Sequence, residues 1–193
     1  MQIHTKTRMN FFSKLILKTL KNRNLGILKN HSGSETGNNL RFGDFCNFTL
    51  YPKLRKIHLG NDINIRNYCN ILVGNDADLS LGNRFFMNNY CSINCLEKIE
   101  IGENTLFGEG VKLYDHNHEY SSEPEFKVEH QKFRTAPVKI GKNCWLGSNV
   151  TVLKGVTIGD NTIIGAGCLI YKDVPANSVV KNKTENFIEI HKR

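Results

Sequence analysis

The sequence predicts an all-β fold, a parallel β-helix of hexapeptide repeats with a short helical N-terminal segment and a C-terminal tail. Three observations carry this expectation. Ile140, Leu146, Val152, Ile158, Ile164 and Ile170 recur at intervals of 6 residues. Two residues before them stand smaller inward candidates: Val138, Cys144, Val150, Val156, Thr162 and Cys168. Three residues after them come Asn143, Asn149, Gly155, Asn161, Gly167 and Asp173, types that tolerate the left-handed backbone of a sharp turn. A period of 6 is even, so it keeps one face of a two-residue pleat, and it fits a helical turn poorly.

The same rule runs through Leu59, Ile65 and Ile71, then Leu81, Met87 and Ile93, then Ile101, Phe107 and Leu113. Asp62, Asn104 and Gly110 take the turn positions. Three hexads close one triangular coil, the 18 residues from Ile140 to Ile158, and coils bury their core only by stacking. Leu59 to Leu81 is 22 residues, Leu81 to Ile101 is 20 and Ile101 to Ile140 is 39. One long loop is therefore expected to be ejected at 118–137. The coil domain is expected at 41–175, with Phe42 and Phe48 anchoring a degenerate first coil and Pro175 closing the last. Residues 1–40 form a basic, partly helical segment, and 176–193 a tail or helix.

The net charge of +8 and pI near 9.2 attract phosphates of any kind. The aromatic residues show no repeated stacking pattern, so nucleic acid is not an expected partner. No apolar run approaches the ~20 residues of a membrane span, and no secretory signal is visible. Residues 10–23 mix Phe11, Phe12, Leu15, Ile16 and Leu20 with Lys14, Lys18, Lys21 and Arg23. That pattern suits an amphipathic helix packed on its own domain or on a partner subunit, with weak membrane-surface contact as the other option. Cys69, Cys91, Cys144 and Cys168 fall on small inward positions and read as core. Cys46 and Cys95 have no assigned place, and no cysteine has metal-ligand spacing. A reducing, cytoplasmic compartment is the expectation, peripheral to the membrane if the helix touches it.

Leu113–Tyr120 reads LYDHNHEY. The next hexad anchor would be Glu119, which cannot fill an apolar core, so the coil leaves its register there. His118 then points outward at a rigid strand end, where a general base is useful. His116 falls at a turn, and Asp115 is placed to orient one of the two rings. Trp145, the single tryptophan, is outward one coil later and calls for a cover, either a subunit or a ligand.

The stretch IGKNCWLGSNVTVLKGVTIGDNTIIGAGCLIYKDVP, Ile140 to Pro175, resembles the signature region of hexapeptide-repeat O-acetyltransferases. These are left-handed β-helix enzymes. Galactoside and maltose acetyltransferases are similar, as are enzymes acetylating capsule or lipopolysaccharide sugars. The resemblance covers about residues 59–175. It implies acetyl-CoA as acyl donor, a saccharide acceptor, a homotrimer and no metal. It also implies His118 as the base that deprotonates the acceptor hydroxyl, with His116 as fallback. Asn88 is implied as an acceptor contact, and Ser148, Ala166, Tyr171 and Lys172 as cofactor contacts. Two departures stand out. Asn94, Cys95 and Leu96 replace an acidic acceptor contact. Val180 to Glu185, VKNKTE, replaces the closing motif, where Lys181 and Lys183 are the available cations. The alternatives are N-acetylation of an amino sugar nucleotide and a non-catalytic β-helix subunit. A zinc carbonic anhydrase of this fold is disfavoured by the spacing of His116 and His118 from His130 or His58.

Overall fold

The computed structural model describes residues 11–183. A helix, Phe11–Asn30, precedes three parallel sheets of six, seven and six strands, which form the faces of a left-handed β-helix. The first face carries Ser34–Thr36, Lys56–Leu59, Asp78–Leu81, Lys98–Ile101, Val138–Ile140 and Thr157–Ile158. The second carries Arg41–Phe42, Asn64–Ile65, Phe86–Met87, Leu106–Phe107, Trp145–Leu146, Ile163–Ile164 and Val179–Val180. The third carries Asn47–Leu50, Asn70–Val73, Ser92–Cys95, Lys112–Tyr114, Thr151–Val152 and Leu169–Ile170.

The period of 6 sets the register. Leu81, Ile101, Ile140 and Ile158 stand above one another on the first face, and Met87, Phe107, Leu146 and Ile164 on the second. These anchors are buried, as are the smaller inward residues two places before them. The inward hydroxyl of Thr105 is satisfied: it donates to the Gly141 carbonyl at 2.9 Å and accepts from the Cys144 amide at 3.1 Å. A buried polar group is tolerated on those terms. Gly147 has a steric reason as well, since a Cβ there would lie 2.7 Å from the backbone nitrogen of Ala166 in the next coil.

Asp62, Asn104, Asn143, Asn149 and Asn161 take φ of 55–60° at the corners, as do Gly110, Gly155 and Gly167 at 71–79°. Carboxamides link successive corners, Asn104 to Asn143 at 2.9 Å and Asn143 to Asn161 at 3.0 Å. Asp173 differs from its expectation. It is not among the positive-φ residues, and its carboxylate instead accepts the Thr157 amide at 2.7 Å. The coils also continue past Pro175, because Val179–Val180 pairs with Ile163–Ile164. Residues 1–10 and the tail beyond residue 183 lie outside the described residues.

Phe42 and Phe48 are buried in a real first coil, their rings 4.9 Å apart. The end of the helix closes that coil. Leu28 is fully buried, and Asn24 donates to the Cys46 carbonyl at 2.8 Å. Phe12, Leu15 and Ile16, in the first half of the helix, are exposed. No helix among the described residues is long and apolar enough to cross a membrane.

All six cysteines are free and buried. In the native protein Cys69, Cys91, Cys144 and Cys168 should resist iodoacetamide over hours and react in denaturant. Rapid native alkylation of these four, checked by mass spectrometry, would refute the inward register.

Candidate active site

The extra residues of the longer coils all leave at the corner between the third and first faces. The largest insertion there is a two-stranded antiparallel hairpin, His116–Ser121 with Lys127–Thr135. It begins two residues before the expected ejection point, so both histidines stand on the hairpin and neither on a coil strand. Its register breaks between His118 and Glu119: His118 opposes Phe133, while Glu119 opposes Glu129. Bulges of this kind re-aim side chains.

Asp115, the last coil residue before the hairpin, is fully buried. Its carboxylate accepts the backbone amides of Leu96 at 2.9 and 3.0 Å, Glu97 at 2.7 Å and Lys98 at 2.9 Å. These amides belong to the corner of the preceding coil. Burial pushes the Asp115 carboxyl up, but the His116 hydrogen bond and the Leu96 and Glu97 amides outweigh it and hold the group below its ordinary value.

Asp115 orients His116, whose Nδ1 lies 3.0 Å from Oδ1. The His116 ring is mostly buried, edge-on to Tyr114 and Phe133. His118 is exposed, and its Nδ1 lies 3.2 Å from the Glu129 carbonyl. A carbonyl oxygen only accepts, so that contact requires a proton on Nδ1, and in the neutral tautomer that has it the lone pair falls on Nε2. The ring leans on Phe133 with centroids 4.7 Å apart.

Ser148 and Ala166 are exposed in successive coils at the corner between the second and third faces. Their backbone N–H groups make no hydrogen bond among the described residues. The equivalent amides of Asp44 and Asn67 are capped by the side chains of Asn67 at 2.8 Å and Asn89 at 3.1 Å. The Gly147 N–H is already donated to Ile164. Two uncapped donors on an open corner fit an extended ligand rich in carbonyl groups, such as the amide-bearing arm of an acyl-CoA. Tyr171 and Lys172 are exposed at the far end of the third face, with the ammonium 5.6 Å from the ring centroid. Asn88 lies at the same corner as Ser148, and its side chain accepts the Asn89 amide at 2.8 Å. Within one chain the third face separates Asn88 from the hairpin. Trp145 is exposed on the second face, in one outward column with Phe86, Leu106, Ile163 and Val179.

Sequence reading missed the exposed column Phe45, Tyr68 and Tyr90, which stacks in parallel at 5.2 and 5.1 Å. The expectation of no stacking pattern is thus corrected. A signal was available, since each aromatic directly precedes an inward cysteine: Phe45–Cys46, Tyr68–Cys69, Tyr90–Cys91.

The fold and repeat define the class. The bacterial transferase hexapeptide (six repeats) matches residues 137–172, and the chain is a left-handed β-helix of hexapeptide repeats similar to sugar O-acetyltransferases. Galactoside O-acetyltransferase of Escherichia coli (strain K12) is 37% identical over 103 residues, 53% of this chain and 49% of that protein. The chain spans about half the length of the curated relatives it matches. A maltose O-acetyltransferase from Clostridium difficile 630 superposes with TM-score 0.55 at 27% identity, covering 93% of this chain and 82% of that one. A variant of AntD, an N-acyltransferase from Bacillus cereus solved with dTDP and coenzyme A, shares the fold alone. Its TM-score is 0.62 at 17% identity, covering 82% of this chain and 84% of that one.

Proposed function

We propose that the protein transfers an acetyl group from acetyl-CoA to a sugar hydroxyl, with His118 as general base. The observation that carries this reading is the contact of His118 Nδ1 with the Glu129 carbonyl at 3.2 Å on an exposed ring. With Nδ1–H donating to the Glu129 carbonyl, the neutral ring carries its lone pair on Nε2. That nitrogen accepts the hydroxyl proton as the oxygen becomes nucleophilic. The bulge and Phe133 hold the ring in one orientation. The oxygen attacks the thioester carbonyl of acetyl-CoA, the C–S bond breaks as the ester C–O bond forms, and the CoA thiolate leaves with the proton that His118 holds. Ser148 and Ala166 would hold the arm of acetyl-CoA through their free N–H groups, and the Lys172 ammonium would meet a phosphate. No nucleophilic side chain is required, and the buried cysteines fit a reducing, cytoplasmic setting.

A second reading places the base at His116, because Asp115 fixes that ring and likewise frees its Nε2. Its position between Tyr114 and Phe133 gives a hydroxyl less access.

The reading includes a trimer. Asn88 and the hairpin are separated within one chain, and three prisms about an axis would bring one chain's hairpin to its neighbour's corner. The second face supplies an apolar column for that contact, and a closed ring satisfies it without forming filaments. Light scattering should give three chains for the native protein and a smaller species for Trp145→Glu. A native monomer at micromolar concentration would contradict the assembly.

The activity is tested by thiol release from acetyl-CoA across sugars, amino sugar nucleotides and polysaccharide fragments. Acetyl-dependent thiol release with a hydroxyl acceptor is the expected result. Release only with an amino acceptor would make the enzyme an N-acetyltransferase. Release with none would favour a structural role.

A further inference from the structure

We propose that the third face is the binding track of an extended, uncharged saccharide, which lies against the aromatic edge of Phe45, Tyr68 and Tyr90 and runs to the hairpin. The inference rests on the acceptor being a sugar and specifies it as a chain of several units.

The aromatic edge is costly for the fold. Phe45, Tyr68 and Tyr90 sit at φ of 56°, 59° and 59°, a region unfavourable for bulky side chains. Most other positive-φ corners carry Asn, Asp or Gly. All three rings are about half exposed. Their mutual stacking, within 7° of parallel, recovers part of that cost. The column then reaches Gly110, which has no side chain, so the far face of Tyr90 meets no further ring. The Asn149 carboxamide of the next coil stands over Gly110, and the half-exposed edges of the three rings are suited to the apolar C–H face of a pyranose.

The chemistry beyond the edge points the same way. Asn47, Asn70 and Ser92 stand in register two residues past the rings, and Thr49, Leu72 and Asn94 two residues further. None is ionised, and all but Leu72 offer hydroxyls or carboxamides, which pair with sugar hydroxyls as donor and acceptor at once. This neutrality is notable in a chain of net charge +8. The first face, by contrast, carries charged pairs such as Lys56–Glu35 and Lys98–Glu100. Arg66 lies before the corner, toward the second face. Lys112, the nearest cation along the track, donates to the Gly110 carbonyl at 3.1 Å. A nucleic acid would find neither a row of cations nor open space between the stacked rings.

The track has direction and length. Asn94 pairs with Tyr114, and Tyr114 stands edge-on to His116 with centroids 6.2 Å apart. Four coils at about 4.8 Å spacing set the run from Phe45 to Tyr114 at roughly 14 Å, longer than one sugar ring.

The test measures binding without an acetyl donor. The probes are malto-, cello- and chito-oligosaccharides of one to six units, de-O-acetylated capsular polysaccharide fragments and an oligo-dT strand. Wild type should bind at least one saccharide series about tenfold more tightly at four or more units than at one. The double variant Tyr68→Asn/Tyr90→Asn should lose that gain and keep its circular dichroism and assembly size, because asparagine accepts a positive φ. Three results would each overturn the track: no length dependence in any series, equal binding by the double variant, or tighter binding of oligo-dT. A change in assembly size would overturn it too, by making the edge a subunit contact. Length-dependent binding of a saccharide that is never acetylated would instead sink the acetyl-transfer reading alone.

Discussion

Replacing His118 with alanine should lower turnover by about 10²–10⁴-fold, the usual share of a general base. The fold should survive, because the side chain is exposed and outside the core. Affinity for acetyl-CoA should change little, since the imidazole acts on the acceptor's proton and the donor contacts lie on other residues. His116→Ala should cost less, through lost packing against Phe133. Steady-state kinetics on the two variants separates the assignments. Near-normal turnover in His118→Ala beside an inactive His116→Ala would move the base to His116 and its Asp115 partner.

Asp115→Ala should be the most destabilising single change in the region. It would strip the acceptor from the amides of Leu96, Glu97 and Lys98, each worth ~1–3 kcal/mol if left buried and unpaired. A combined loss of about 4 kcal/mol corresponds to a fall in Tm of roughly 10 °C for a chain of this size. Calorimetry across pH tests the cause. The Asp115 carboxyl titrates lower in the folded chain than in the unfolded one, so the folded chain binds fewer protons there. Its contribution is complete above the unfolded value of about 4 and is lost as pH falls through the folded value. The gap between wild type and Asp115→Ala should therefore narrow below about pH 4. Parallel stability curves down to pH 3 would show that ionisation is not the source.

The prism was legible because one period governs both faces of every strand. The anchors, Cys69, Cys91, Cys144, Cys168 and most turn residues follow from counting by 6. The hairpin was legible only as an interruption. His116–Ser121 and Lys127–Thr135 are mostly polar on both sides, and their pairing comes from backbone hydrogen bonds that no apolar alternation records. The choice of Asp115 for His116 was hidden for a related reason. Its other partners are main-chain amides 17 to 19 residues earlier, and any residue type supplies an amide. The aromatic edge went unseen because coils of 22 and 23 residues put Phe45, Tyr68 and Tyr90 out of step with a strict count.

The crowding of every insertion at one corner separates two kinds of heritable change. Substitutions on the inward positions alter how well the coils stack, and Asp115 ties that stack to the hairpin. Lengthening or replacing the hairpin leaves the strand register on all three faces as it was, since Ile101 pairs with Ile140 across an insertion of any size. A lineage built on this plan is free to exchange its hairpin while the scaffold stays constant. Such a chain can change what it recognises without altering how it folds.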